Sequence, residues 1–369
     1  MRADVQGKQQ TGTPRRRKRA PRFPRSTVAM LLAAFLLLVA SAVANSSPGT
    51  VTGAPIQNAS PRVVATFPVG KDLLDAVVSP DGKRLYVTDN SAFSSDEKAY
   101  TGGVHVVDTA TRKVKATINV GEGPIDIVLN RAGTRAYVVN GRTYSISVIN
   151  TRTNTVIRTL DVPPSPSQIV LNAAETVGYV ATNSSLDGLV LLNLGTGAIT
   201  ARIPAGWNPQ TVAVNAAETT AYTVNQTDGT LTVIDLRKRK VKSVIALGQF
   251  AYGVTVNQAG TRAYVNAFDS IVVVNPGSGK IIKTIPLTAI VAGRMHLNVA
   301  GTVGFTIAGH NGKTPAGGVL HVIKLSTNTV VGTAPVGFAA NAIAFDPAGL
   351  LAYVPSGTGG TVTLLEMPR

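Results

Sequence analysis

Seven positions with matching neighbours but unlike chemistry recur along the chain: Asp75, Asp126, Gln168, Thr211, Gly253, Arg294 and Ala342. Each stands four residues before a short polar residue that opens a turn. The residues just ahead of them vary as widely: Leu74, Ile125, Ser167, Gln210, Tyr252, Gly293 and Asn341. Asp75 and Asp126, with Glu122 nearby, could hold a divalent cation that polarises a carbonyl or activates water. They could equally hold an amine or hydrogen-bond a sugar. The plain alternative is that they hydrate a water-filled channel. The single Trp, Trp207, lies in GWNPQ, and Phe250 and Tyr252 lie in GQFAYG. An aromatic shelf beside polar groups suits stacking of a base, a sugar or a peptide ring, unless the rings are packing wedges. The candidate ligand-binding set is therefore Asp75, Asp126, Gln168, Trp207, Gln210, Tyr252, Arg294 and Asn341.

A second feature is the run Arg237, Lys238, Arg239 and Lys240, with Lys242 just beyond. Such a patch can bind phosphate polymers by releasing their counterions. It can also be a solvated face that keeps the protein soluble. No catalytic residue is assigned. The chain has no Cys and four His, which excludes disulfides, thiolate catalysis and Cys-ligated zinc. No pair of His has metal-ligand spacing. His105 and His321 share one slot of the repeat, where the other units place Ser147, Val190, Thr232, Val272 and Thr363, and read as structural. No nucleophile elbow or Walker loop occurs in a usable context.

These positions are set out by an internal repeat that fills the chain after residue 61. The aromatics Tyr86, Tyr137, Tyr179, Tyr222, Tyr264, Phe305 and Tyr353 mark it, at intervals of 51, 42, 43, 42, 41 and 48 residues. Seven residues before each stands Ser79, Asn130, Asn172, Asn215, Asn257, Asn298 or Asp346, able to hydrogen-bond its own turn. Each unit runs as four short β-branched stretches, for example IDIVLN, RAYVVN, SISVIN and VIRTLDV, punctuated by Gly, Pro and Asn. Four strands per unit of about 42 residues is the period of a propeller blade. The last unit lacks a fourth strand, and Pro61–Val69 (PRVVATFPV) has no other unit to join. The prediction is an all-β, single seven-bladed β-propeller over 61–369. It has four antiparallel strands per blade and a ring closed by strand 61–69 in the last blade. Its d–a and b–c loops share one face, termed the top. Two b–c loops are long, 91–103 and 308–318, which favours a recognition role.

The chain of 369 residues carries 35 Lys plus Arg and 19 Asp plus Glu. Residues 1–44 hold nine of the basic residues and one acid, so the remainder is only mildly basic at +8. That leading segment has a basic run at Arg15–Arg25, an apolar stretch at Thr27–Ala40 and an A-V-A site ending at Ala44. This is the pattern of a secretory signal, with cleavage expected after Ala44 and no membrane span left behind. An uncleaved anchor is the alternative. Residues 45–60 are polar with Pro and Gly and read as a flexible linker.

The stretches RLYVTDN (84–90), VHVVDTATRKVKATINVG (104–121) and ISVINTRTNTVIRTLDV (146–162) resemble the YVTN β-propeller repeat family. They look most like its secreted or periplasmic members of the YncE type. GYVATN, AYTVNQ and GFTIAG depart from the motif. The resemblance implies a seven-bladed wheel without a cofactor. It implies nucleic acid as the partner of some relatives and a cell-surface place for others; lactonases are among related propellers. The expected function is a secreted, monomeric, non-enzymatic binding protein. The alternatives are a hydrolase or lyase with a divalent ion at the acidic mouth, and a structural module with an envelope partner.

Overall fold

The computed structural model describes residues 60–91, 103–184, 186–287, 289–310 and 317–368. The leader 1–44, the linker up to residue 59 and most of both long b–c loops lie outside the described residues. Six repeats fold as four-stranded antiparallel sheets paired in chain order, and the seventh sheet takes its outer strand from Arg62–Pro68. Blade 2 shows the pattern, with strands a to d at Pro124–Leu129, Arg135–Asn140, Ser145–Asn150 and Thr155–Asp161. Seven such sheets stand in a ring, with strands a packed against one another around a central channel.

The a–b turns follow from the residue that opens each one. Asn130 accepts from the Arg135 amide at 2.8 Å, and Asn172, Asn215, Asn257 and Asn298 repeat the bond. Ser79 and Asp346 do the same at the two ends of the series. In blades 3 and 4 the left-handed turn position holds Glu175 and Glu218, at φ 56° and 52°. Their carboxylates reach back to the preceding blade, where they accept from the Arg131 and Ala173 amides.

The core lies between blades. Seven hydrophobic clusters each join two neighbours, as where Val139, Ile146 and Leu160 meet Ile169, Val180 and Leu192. All seven marker aromatics are buried in these seams. Burying one large ring per unit supplies much of the apolar area that holds a blade to its neighbour.

The ring closes as the repeat count requires. Arg62–Pro68 pairs antiparallel with Thr361–Glu366, from Arg62 opposite Glu366 to Pro68 opposite Thr361. Phe67 and Val69 enter the cluster between blades 7 and 1. The Arg62–Glu366 ion pair on this seam is solvent-exposed and adds little. Pairing Thr361–Glu366 on both sides removes its open edge.

Four inner seams are bridged by side chains of the variable slot. Asp75 accepts from the Ile127 amide at 3.0 Å, and Asp126 from Ile169 at 3.0 Å. Gln168 accepts from Val212 at 2.8 Å, and Thr211 from Val254 at 3.0 Å. Gly253, Arg294 and Ala342 offer no acceptor, so the series stops at blade 5. There the backbones close up instead. A Cβ on Gly253 would sit 2.2 Å from the Gly293 carbonyl, and one on Gly293 would sit 2.0 Å from the Asn341 carbonyl. Gly293 also has φ 57°, where a Cβ is strained. Gly293→Ala is expected to lower stability by more than about 4 kcal/mol, the range of core disruption. Gly301→Ala is its control, with φ 64° but open space around it. That change should cost only about 1–2 kcal/mol in a urea titration.

Candidate site at the channel mouth

The top of the channel holds a cavity of about 200 Å³ lined by Asp75, Asp126, Gln168, Gln210, Arg294 and Asn341, among others. Six of the eight candidate residues thus converge on one space. A lower cavity of about 480 Å³ continues below it, with mostly aliphatic walls. Asp126 and Arg294 line both, so they form the floor between them.

Arg294 reaches this floor through an irregular strand. In blade 6 the register runs from Ala292 opposite Ile307 to His296 opposite Phe305, four residues against two. Strands a of blades 2 to 5 each carry one extra residue at the matching place. The additional residue and the left-handed Gly293 make a wider bulge, which re-aims a side chain. The guanidinium of Arg294 stands 3.9 Å from the Asp126 carboxylate, beyond hydrogen-bond reach, and is about one-third exposed. It makes no hydrogen bond to any described residue.

Asp75 and Asp126 are both buried, and each carboxyl acts on the other. Burial pushes both carboxyls up from the ordinary range. The Asp75 charge pushes Asp126 further, to about 8, against the pull of Arg294 and the Ile169 amide. Asp75 is held lower by Arg294 and by the amides of Ile127 and Ala76. The pair therefore keeps a proton at neutral pH, on Asp126. The cavity is polar, with Arg294 facing a carboxyl pair whose ionisation burial opposes.

His296 completes the wall and was not among the candidates. Its ring lies 6.2 Å from that of Phe345. Burial, then the Arg294 charge, lowers its pKa to about 3, so it is neutral. One signal could have found it. Two residues past the slot, the other blades place Val77, Val128, Val170, Ala213, Thr255 and Ala344, and only blade 6 places an imidazole.

The remaining candidates lie apart from the cavity. Trp207 is 64% exposed on the top face, and its amide donates to Asp228 at 2.9 Å. Tyr252 is half-buried outside the lining. Gln210 is committed, donating to Asn208 and Gln226 at 3.0 Å each. Phe250 and Phe268 edge a shallow cleft with Asp228 and Gln249. Glu122 does not line the cavity. Among the described residues, no three Asp, Glu or His stand where they could share a metal ion. His105 is bonded within its own blade: its Nε2 meets Asp89 at 2.9 Å and its Nδ1 meets Thr117 at 3.0 Å. Burial opposes the Asp89 charge, but bonds from His105 and the amides of Lys71, Asp72 and Ser91 outweigh it. They hold its pKa well below the usual range. Arg237, Lys238, Arg239 and Lys240 are all exposed, and Arg239 donates to the Thr200 carbonyl of blade 3 at 3.0 Å.

Among solved structures, the chain is similar to hydrazine synthase of Kuenenia stuttgartiensis, with a TM-score of 0.70. The alignment covers 81% of this chain and 96% of that one, at 17% identity. The likeness is one of fold. At that identity the chemistry of the other protein does not transfer, because propellers of one shape carry unrelated sites. No family model and no curated relative matches the sequence.

Proposed function

We propose that this protein is a secreted, non-enzymatic propeller that binds a small uncharged polyhydroxylated ligand, a sugar or the end of a glycan, at the top of its channel. The observation that carries the reading is the guanidinium of Arg294, which lies 3.9 Å from Asp126, makes no hydrogen bond to any described residue and lines the cavity. Its five donors call for a ligand rich in oxygen acceptors. Asn341 and the neutral His296 add further polar groups to the same wall. Asp126, protonated at neutral pH, adds an O–H donor for the same hydroxyl and carbonyl oxygens. The volume is below the roughly 300–1,000 Å³ of drug-sized sites, which fits one sugar ring. Trp207, exposed three residues ahead of Gln210, offers a face on which a second ring can stack. Secretion rests on the leader segment, and kinship with YncE-type YVTN propellers rests on the repeat motifs.

Thermal unfolding against a panel of mono- and oligosaccharides tests the reading. A bound ligand stabilises the folded state by about 2.7 kcal/mol at a hundredfold excess over its Kd. A saccharide is expected to raise the Tm of the wild type, little affected by salt. Arg294→Gln should bind it at least about tenfold more weakly, the worth of one charge-assisted hydrogen bond. Equal shifts in both proteins, or none in either, would overturn the assignment.

A further inference from the structure

We infer that the outer rim of blades 4 and 5 is a docking surface for an anionic membrane. Strand d of blade 4, Lys240–Ala246, and strand d of blade 5, Lys280–Pro286, are neighbouring outer edges. A groove between them is lined by Val244 and Ile245 on one side and Gly277, Ser278 and Ile281 on the other. Both strands and the turns before them are strongly basic: Arg237 to Lys240, Lys242, Lys280 and Lys283. No Asp or Glu occurs from Leu236 to Gln249 or from Ser270 to Leu287. Asp235, which borders the first stretch, is half-buried and accepts from the Lys238 amide, and the exposed Asp269 borders the second.

Lysines alone on an outer strand are explained by edge protection, which keeps other strands from pairing there. The apolar residues beside them are not. Val241, Val244, Ile281 and Ile282 are 40%, 58%, 47% and 43% exposed. Strand d has one extra residue on each blade, at Lys242 and at Ile282. The bulge breaks the in–out alternation, so consecutive residues face water. The outcome is a patch where aliphatic side chains stand among cations. A phosphate polymer would be served by the cations alone. A bilayer with anionic headgroups uses both, because the cations meet the headgroups and the aliphatic groups enter the interface. The surface is on the rim, clear of the channel mouth, so the wheel can sit on a membrane with the mouth open.

Vesicle flotation tests this on residues 56–369. That unit contains all seven seams and its own closing strand, and it leaves out the apolar leader. The probes are vesicles of phosphatidylcholine with and without phosphatidylglycerol, and a soluble oligonucleotide. Of the two vesicle types, only the anionic one is expected to bind. Lys242→Gln with Lys280→Gln should weaken it roughly thirtyfold, at about fivefold per surface cation. Val244→Ser with Ile281→Ser should weaken vesicle binding several-fold and leave oligonucleotide binding unchanged. Both pairs are exposed, and an unaltered Tm verifies their folding. Equal affinity for neutral vesicles would overturn the proposal. So would vesicle binding indifferent to the aliphatic pair, which would make the patch a general polyanion site.

Discussion

Wild-type stability is expected to fall as pH rises from about 6.5 to about 8, and Asp126→Asn is expected to remove that fall. The folded pKa of Asp126 is raised to about 8, whereas a carboxyl in the unfolded chain titrates near 3.9. Between those values the folded state holds a proton that the unfolded state has lost, so stability decreases as pH climbs. The limiting slope for one proton is about 1.4 kcal/mol per pH unit. His296 and His321 act in the opposite sense at lower pH. Burial lowers both, so the unfolded state takes up protons there that the folded state refuses. Their effect ends above the ordinary His value of about 6.5, which leaves the carboxyl pair exposed to view above it. The carboxamide introduced by Asp126→Asn can still accept from the Ile169 amide and cannot ionise. The variant should therefore be flat across the window, over which the wild type loses about 2 kcal/mol. Urea midpoints at half-unit pH steps give the answer. A wild-type curve that rises across the window would show that the pair is ionised.

Removing the closing strand is expected to have the largest effect on folding. A chain beginning at residue 70 loses Phe67 and Val69 from the last seam and bares the edge of Thr361–Glu366. Losing the Phe67 ring alone costs about 3–5 kcal/mol, and Phe67→Ala measures that part. The truncated chain should show no cooperative transition and should aggregate through the open edge. A peptide of residues 60–69 added in excess should restore a melting transition. Unfolding of the truncated chain at the wild-type urea midpoint would mean that blade 7 closes without it.

The fold was legible because the repeat states it seven times. The marker aromatic, the polar turn residue and the four β-branched runs each follow from local chemistry, and together they give the blade number, the seams and the closing strand. The site was legible only in part. The varying slot correctly indicates the channel, since Asp75, Asp126, Gln168 and Arg294 all line it. What the slot does mechanically was hidden. Three of those four side chains bridge to the next blade, and a pattern within one repeat does not display bonds between repeats. Arg294 escapes this duty because a bulge, not the repeat, sets its direction. His296 was overlooked for the reverse reason. It lies one inward position beyond the slot, where six small or aliphatic residues make the site look like wall. Trp207 and Tyr252 do not line the cavity: Trp207 stands in the loop ahead of Pro209–Val214, and Tyr252 is the extra residue at the irregularity of Ala251–Val256.

At the centre of the proposed function is a polar cavity in which Asp126 keeps its proton beside Arg294 and a polar ligand meets both. Infrared spectroscopy of the protein at neutral pH, with and without a stabilising saccharide, tests it most directly. The predicted result is a protonated-carboxyl band that is absent from Asp126→Asn and shifts when the saccharide binds. A wild-type spectrum without such a band, or a band that the saccharide leaves unmoved, would contradict it.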